Sequence, residues 1–327
     1  MLPKRIVILM LVFFYSCSSG EAPKQEEVVE VDSVETNPKD SALLADIKTY
    51  HKHNSLKVVT GFHSPESVAT DGTYYYVSNV GRELMPSEKD QDGFISRLDG
   101  EGNVLDLKWI ENLDAPKGMA ILNEMIYTAD VDKLRGFEIA TQKKVMELDF
   151  NRYGTSFLND LTIVDDVTLL VSATDIGYVF KVDLRGKGAY EILEIYGDMT
   201  GVNGLHYDAP NNRLLMAGFG IEGEPVGAIM EALLDKEPTK QKQVGTYQGF
   251  LDGIQLIRND RILFSDWRDF EKGGQLMIYD MKSKKTQAAL PDIIKGPADF
   301  YYSDKTNMLW LPAMAENELI ITRLELD

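Results

Sequence analysis

The sequence predicts an all-β chain, a six-bladed β-propeller whose N-terminal strand closes the last blade. Six segments share one shape: a turn containing Pro or Gly, an alternating strand, a polar turn and a second, aromatic-rich strand. Their corresponding positions, 66, 117, 159, 203, 252 and 298, lie 51, 42, 44, 49 and 46 residues apart, which is the spacing of one propeller blade. The last unit runs out of chain after its third strand, whereas residues 56–62 (LKVVTGF) precede the first unit without a partner. A ring that borrows this strand leaves no large open edge, which a linear stack of the same units would.

The elements follow in chain order. Residues 1–17 read as a basic start at Lys4 and Arg5, an apolar run over 6–15, then Ser16-Cys17, the pattern of an export signal. The run is too short to span a bilayer as a stable helix. Its close resembles a bacterial lipoprotein signal with Cys17 as the lipidated residue; an ordinary secretory signal with an incidental cysteine is the alternative. Either reading exports the protein, and the first anchors it by lipid alone in the bacterial cell envelope. Residues 18–45 carry seven acids, two bases, two prolines and no aromatic residue, the composition of a disordered acidic tether. Residues 46–327 form the propeller.

Inside the propeller, the first two strands of each unit are carried by ESVATDGTYYYVSN from 66, KGMAILNEMIYTAD from 117, NDLTIVDDVTLLVSAT from 159, NGLHYDAPNNRLLMAG from 203, DGIQLIRNDRILFSDW from 252 and ADFYYSDKTNMLWLPA from 298. Asp-Gly, Asn-Asn and Asn-Asp pairs supply hairpin turns. Third strands follow at Gly93, Leu134, Tyr178, Gln275 and Glu318. Long helical periodicity is absent, with residues 228–235 a short ambiguous patch. Asp130, Asp175 and Asp266 end second strands at equivalent places and read as turn and hairpin acids.

Composition narrows the function. With 34 Lys plus Arg against 52 Asp plus Glu, a net charge of -18 and a pI near 4.7, the chain repels phosphate backbones, so nucleic acid is not an expected partner. The single cysteine forbids an intramolecular disulfide and a thiolate zinc site, and the four histidines leave oxygen as the main metal-ligand type. Neither a Ser-centred nucleophile elbow nor a Gly-rich phosphate loop is present.

Ring closure turns the repeat into a site, because residues at the entry of each innermost strand share one mouth of the central channel. In order they are Glu66, Lys117, Asn159, Asn203, Asp252 and Ala298, with Asp160 and Asp299 beside two of them. Turn-forming preference explains Asn203-Gly204 and Asp252-Gly253, but poorly explains Glu66 and Lys117. Two carboxylates and two amide oxygens make a hard-oxygen shell suited to Ca²⁺, and less readily to Mg²⁺ or Mn²⁺.

Pro65-Glu66, Asn159-Asp160, Asn203-Gly204-Leu205 and Asp252-Gly253, in these blades and this order, resemble the motifs of SMP-30/gluconolactonase/paraoxonase-like six-bladed calcium propellers. The resemblance spans residues 56–327. It implies Glu66, Asn203 and Asp252 as direct calcium ligands, with Asn159 a fourth ligand or a contact to substrate and bound water. An arginine-and-aromatic sugar-contact pattern is not evident, and Lys117 occupies the second blade's mouth position. His63 and His206 have no secure counterpart among paraoxonase-type histidines.

Two functions are expected from this pattern. One is calcium-dependent hydrolysis of a lactone or related cyclic ester, with Asp252 or else Asp160 as the base and Lys117 either stabilising the oxyanion or pairing with a mouth acid. The other is a non-catalytic envelope propeller that binds a saccharide, peptide or protein around a structural calcium. Tyr74, Tyr75, Tyr76, Trp267, Phe270, Tyr301 and Trp310 either pack between blades or form its platform. A lyase on the same scaffold is a third class that no motif selects.

Overall fold

Period-two alternation and β-branched residues do fold as hairpins here, and six antiparallel sheets result. A computed structural model describes residues 47–52, 56–198, 201–220, 223–258 and 260–326. The signal with Cys17 and the tether of residues 18–45 lie outside the described residues.

Blade 1 comprises Pro65–Thr70, Tyr75–Asn79, Gly93–Leu98 and Val104–Leu113, and blade 2 Pro116–Leu122, Met125–Asp130, Lys133–Glu138 and Lys144–Asp149. Blade 3 comprises Leu158–Asp165, Thr168–Ala173, Tyr178–Asp183 and Ala189–Ile192. Blade 4 comprises Val202–Asp208, Arg213–Gly218, Gly227–Leu233 and Gln241–Gly249, and blade 5 Leu251–Ile257, Arg261–Asp266, Gln275–Asp280 and Lys285–Ala288. Asn123 and Glu124 both take positive φ, 52° and 62°, as a type I′ hairpin turn requires. The ambiguous patch at 228–235 belongs to a third strand, Gly227–Leu233. Among the described residues no helix is long and apolar enough to cross a membrane.

Blade 6 is the closure. Its own strands are Tyr301–Ser303, Met308–Ala313 and Glu318–Arg323, and its fourth is Leu56–Thr60 from the other end of the propeller, paired Val58 to Ile320 and Val59 to Leu319. The expected closing strand is therefore present. A fifth strand, Thr49–Lys52, adds to its outer edge and was not legible in the polar sequence around it.

The core lies between blades. Leu263, Leu276 and Ile278 of blade 5 pack against Val58, Leu309, Leu311 and Ile320 of blade 6. Across the seam to blade 1, Tyr75 stacks on Trp310 at 3.7 Å between centroids and meets Tyr301 edge-on at 5.7 Å. Tyr76 is buried against Trp109. These aromatics are packing residues, whereas Phe270 is 55% exposed.

Candidate functional site at the channel mouth

A repeated irregularity builds the site. In blades 1 to 5 the pairing between the first two strands slips between 65 and 68, 116 and 119, 158 and 161, 202 and 205, and 251 and 254. Each slip sets two residues of the innermost strand opposite one of its neighbour, a β-bulge. Blade 6 has the same extra residue, because Pro297 bridges Ala313 while Tyr301 pairs with Trp310. The bulged pairs are 66/67, 117/118, 159/160, 203/204 and 252/253, so five mouth positions open the bulge of their blade and Ala298 lies within the sixth, where side chains are re-aimed.

A bulge strands a backbone amide, and serines recover it. Ser78, Ser172 and Ser265 each accept the amide of the second bulge residue, Ser67, Asp160 and Gly253, at 2.9 Å. Ser172 and Ser265 in turn donate to the carbonyls of Asn203 and Ala298 in the next blade, at 2.6 and 2.9 Å. Adjacent blades also approach closely. A Cβ on Gly204 would lie 2.1 Å from the Asp252 carbonyl oxygen, and one on Gly253 2.8 Å from Asp299 Cα. The glycines after Asn203 and Asp252 are thus required by close approach as well as by turn preference.

The mouth residues Glu66, Lys117, Asn159, Asn203 and Asp252 are only 1–4% exposed. Glu66 Oε2, Asn159 Oδ1, Asn203 Oδ1 and Asp252 Oδ1 all lack a hydrogen-bond partner. Buried polar atoms are normally satisfied, so four orphaned oxygens at equivalent bulges of four blades call for a common partner. Two are carboxylate and two carboxamide oxygens, the donor chemistry that fits a hard divalent cation such as Ca²⁺. Among the described residues no three His, Cys, Asp or Glu side chains form a metal-binding group, so the fit depends on the two asparagines.

The electrostatics describe an acidic centre that the Lys117 ammonium compensates only in part. Burial, followed by the charges of Asp252 and Asp299, holds the Glu66 carboxyl well above the usual range. Burial pushes Asp252 up to about 7, against the pull of its Trp267 hydrogen bond, and Asp299 up to about 6. The Lys117 ammonium is lowered to about 8 by burial, opposed by Glu66, Asp130 and Asp175. It donates to the Ala115 carbonyl at 2.9 Å and lies 5.0 Å from the Phe157 ring centroid.

Asp160 has a different setting. Its Oδ1 accepts the Leu161 amide and its Oδ2 the Leu205 amide of blade 4, both at 2.6 Å, so one oxygen holds its own strand and the other braces the innermost strand of the next blade. Asp299 does the same at the ring's seam, with Oδ2 accepting the Ser67 hydroxyl at 2.5 Å. Asp130 accepts the amides of Asp114 and Ala115, Asp175 that of Ser156 and Asp266 that of Phe250, so all three cap loops at the mouth face.

His63 and His206 do not join the ring by any hydrogen bond. His63 is half-buried edge-on to Phe94, and burial lowers its pKa. His206 lies further along the blade 4 innermost strand, its pKa lowered to about 4 by burial.

The sequence offered Trp267 only as a packing or platform residue, without its bond to the ring or the collar it joins. Trp267 donates its indole N–H to Asp252 Oδ2 at 2.8 Å, and Val80, Ala115, Val131, Phe250, Trp267, Ala298 and Met314 form an apolar collar at the mouth. The bracing serines were also overlooked, although VSN, VSA and FSD recur at 78, 172 and 265.

No family model and no curated protein matches the sequence. Solved structures do match the fold. A catalytically inactive histidine-to-alanine variant of virginiamycin B lyase from Staphylococcus aureus, with quinupristin, aligns over 91% of this chain and 98% of that one at TM-score 0.56 and 10% identity. The β-propeller domain of Myceliophteria thermophila Cps50 (Swd1) aligns over 86% of this chain and 99% of its own at TM-score 0.55 and 10% identity.

Proposed function

We propose that the chain is a divalent-cation-dependent hydrolase of a lactone or related cyclic ester, of the SMP-30/gluconolactonase/paraoxonase-like kind. The observation that carries this is the set of four buried, partnerless oxygens at equivalent bulges of blades 1, 3, 4 and 5. Glu66, Asn159, Asn203 and Asp252 would hold Ca²⁺, with Mg²⁺ or Mn²⁺ as alternatives. When bound, the cation supplies positive charge that polarises an ester carbonyl.

The chain's own groups do the rest. Asp252, raised toward neutrality and held on one oxygen by Trp267, would take the proton from an attacking water at Oδ1. That oxygen is also its free ligand atom, so the role requires it to exchange between the two uses. Asp160, with both oxygens on backbone amides, is the lesser choice for this base. Lys117, fixed by Ala115 and Phe157, would place a positive charge near the developing oxyanion.

The burial of the ring favours a second reading, in which the cation is a structural pin and the mouth face binds a saccharide, peptide or protein. Calorimetric titration of the protein and its Asp252→Asn variant with Ca²⁺, followed by a lactone panel, separates the readings. One-site binding lost in the variant together with cation-dependent turnover supports hydrolysis; binding without turnover supports the scaffold, and no binding removes both cation readings. Export and a lipid anchor at Cys17 rest on residues 1–17 alone, and metabolic labelling with a fatty-acid analogue, lost in Cys17→Ala, tests them.

A further inference from the structure

We infer that Trp267 is the positioning residue of the cation ring, fixing Asp252 so that its free oxygen faces the other ligands. The inference rests on the cation reading above. A carboxylate with two free oxygens turns about its terminal bond and presents either one. Here Oδ2 is occupied by the indole Nε1 at 2.8 Å, and Oδ1 is left without a partner. An indole N–H is a donor without charge and without acceptor capacity. It therefore orients the carboxylate without supplying a positive charge that would compete with a cation, as an Arg or Lys in its place would. This is the outer-shell arrangement that fixes ligand orientation in metal sites.

The indole is itself held rigidly. Its backbone amide donates to the Phe250 carbonyl at 3.0 Å, and it belongs to the buried cluster with Phe250, Ala298 and Met314. Its ring also meets Phe270 at 5.5 Å and Phe219 at 5.9 Å between centroids, and Phe270 packs on Phe250 at 5.0 Å. One end of Trp267 thus touches a ring ligand while its face supports the aromatic cover. Occupancy of the ring must register in the environment of this indole.

The test uses Ca²⁺ alone as the probe. Trp267→Phe keeps the aromatic packing and removes the donor; calorimetry is expected to show Ca²⁺ bound roughly 10- to 100-fold more weakly, with partial recovery in Trp267→His, which can restore an N–H. In parallel, the otherwise unmodified protein labelled with 5-fluorotryptophan has three tryptophans, Trp109, Trp267 and Trp310. One of its fluorine resonances should shift in step with calorimetric saturation. Wild-type binding with Trp267→Phe equally tight, or with no fluorine resonance moving, overturns the role of Trp267 and leaves the cation site standing. Absence of Ca²⁺ binding by the wild type overturns the cation reading and this inference with it.

Discussion

Asp299 Oδ2 accepts the hydroxyl of Ser67 at 2.5 Å, joining the segment that enters the innermost strand of the last blade to the innermost strand of the first. The bond sits at the channel end of the seam, whereas the borrowed strand Leu56–Thr60 closes the same blade from its other side. Ser67→Ala leaves a buried carboxylate one donor short. The expected loss is about 1.5 to 3 kcal/mol, measured as a fall in the urea midpoint at neutral pH.

Gly204→Ala puts a Cβ where the Asp252 carbonyl oxygen already lies, 2.1 Å away. Backbone cannot retreat as a flexible side chain does, so blades 4 and 5 must part. A destabilisation of about 1 to 3 kcal/mol is expected, along with weaker cation binding, by thermal unfolding with and without Ca²⁺.

Glu66→Gln separates stability from function. Burial and the neighbouring carboxylates of Asp252, Asp299 and Asp160 disfavour the Glu66 charge, and together they outweigh the pull of the Lys117 ammonium. In chelator at pH 8 the variant should be more stable than wild type by about 1 to 3 kcal/mol, because a buried repelling charge is gone. On adding Ca²⁺ the wild type should gain stability and the variant gain far less. A wild-type melting curve insensitive to Ca²⁺ would contradict this.

His206 gives a pH dependence of definite sign. Its pKa falls from 6.5 to about 4 through burial, so between these values the unfolded chain binds the extra proton and the native state does not. Stability is fully present above pH 6.5 and is lost as pH falls toward 4, by on the order of 3 kcal/mol. His206→Gln should flatten this part of the curve, as read from urea unfolding at pH 4.5 and pH 7. An unchanged slope would mean that other groups govern the acid limb.

Much of the site's composition was legible because it is periodic. Glu66, Lys117, Asn159, Asn203 and Asp252 share one offset from the start of each unit, and the structure buries all five at equivalent bulges of their innermost strands. Asp160 stood as the second choice of base after Asp252, since a carboxylate beside the key position has the same residue type as a ligand. Only the strand of the next blade shows that the Leu205 amide takes one of its oxygens. Trp267 stands 15 residues beyond Asp252 in the chain, and its contact depends on the path of the hairpin between them.

By itself the sequence determined the number of blades, the closing strand and the residue types offered to the channel, because spacing and alternation are local properties of the chain. Tertiary structure decided which atoms remain free to act. A bulge is a mismatch of two residues against one across a strand pair, and an oxygen is orphaned only relative to the neighbours that fail to reach it. Both are relations between segments, so they exist only once six hairpins have closed into a ring.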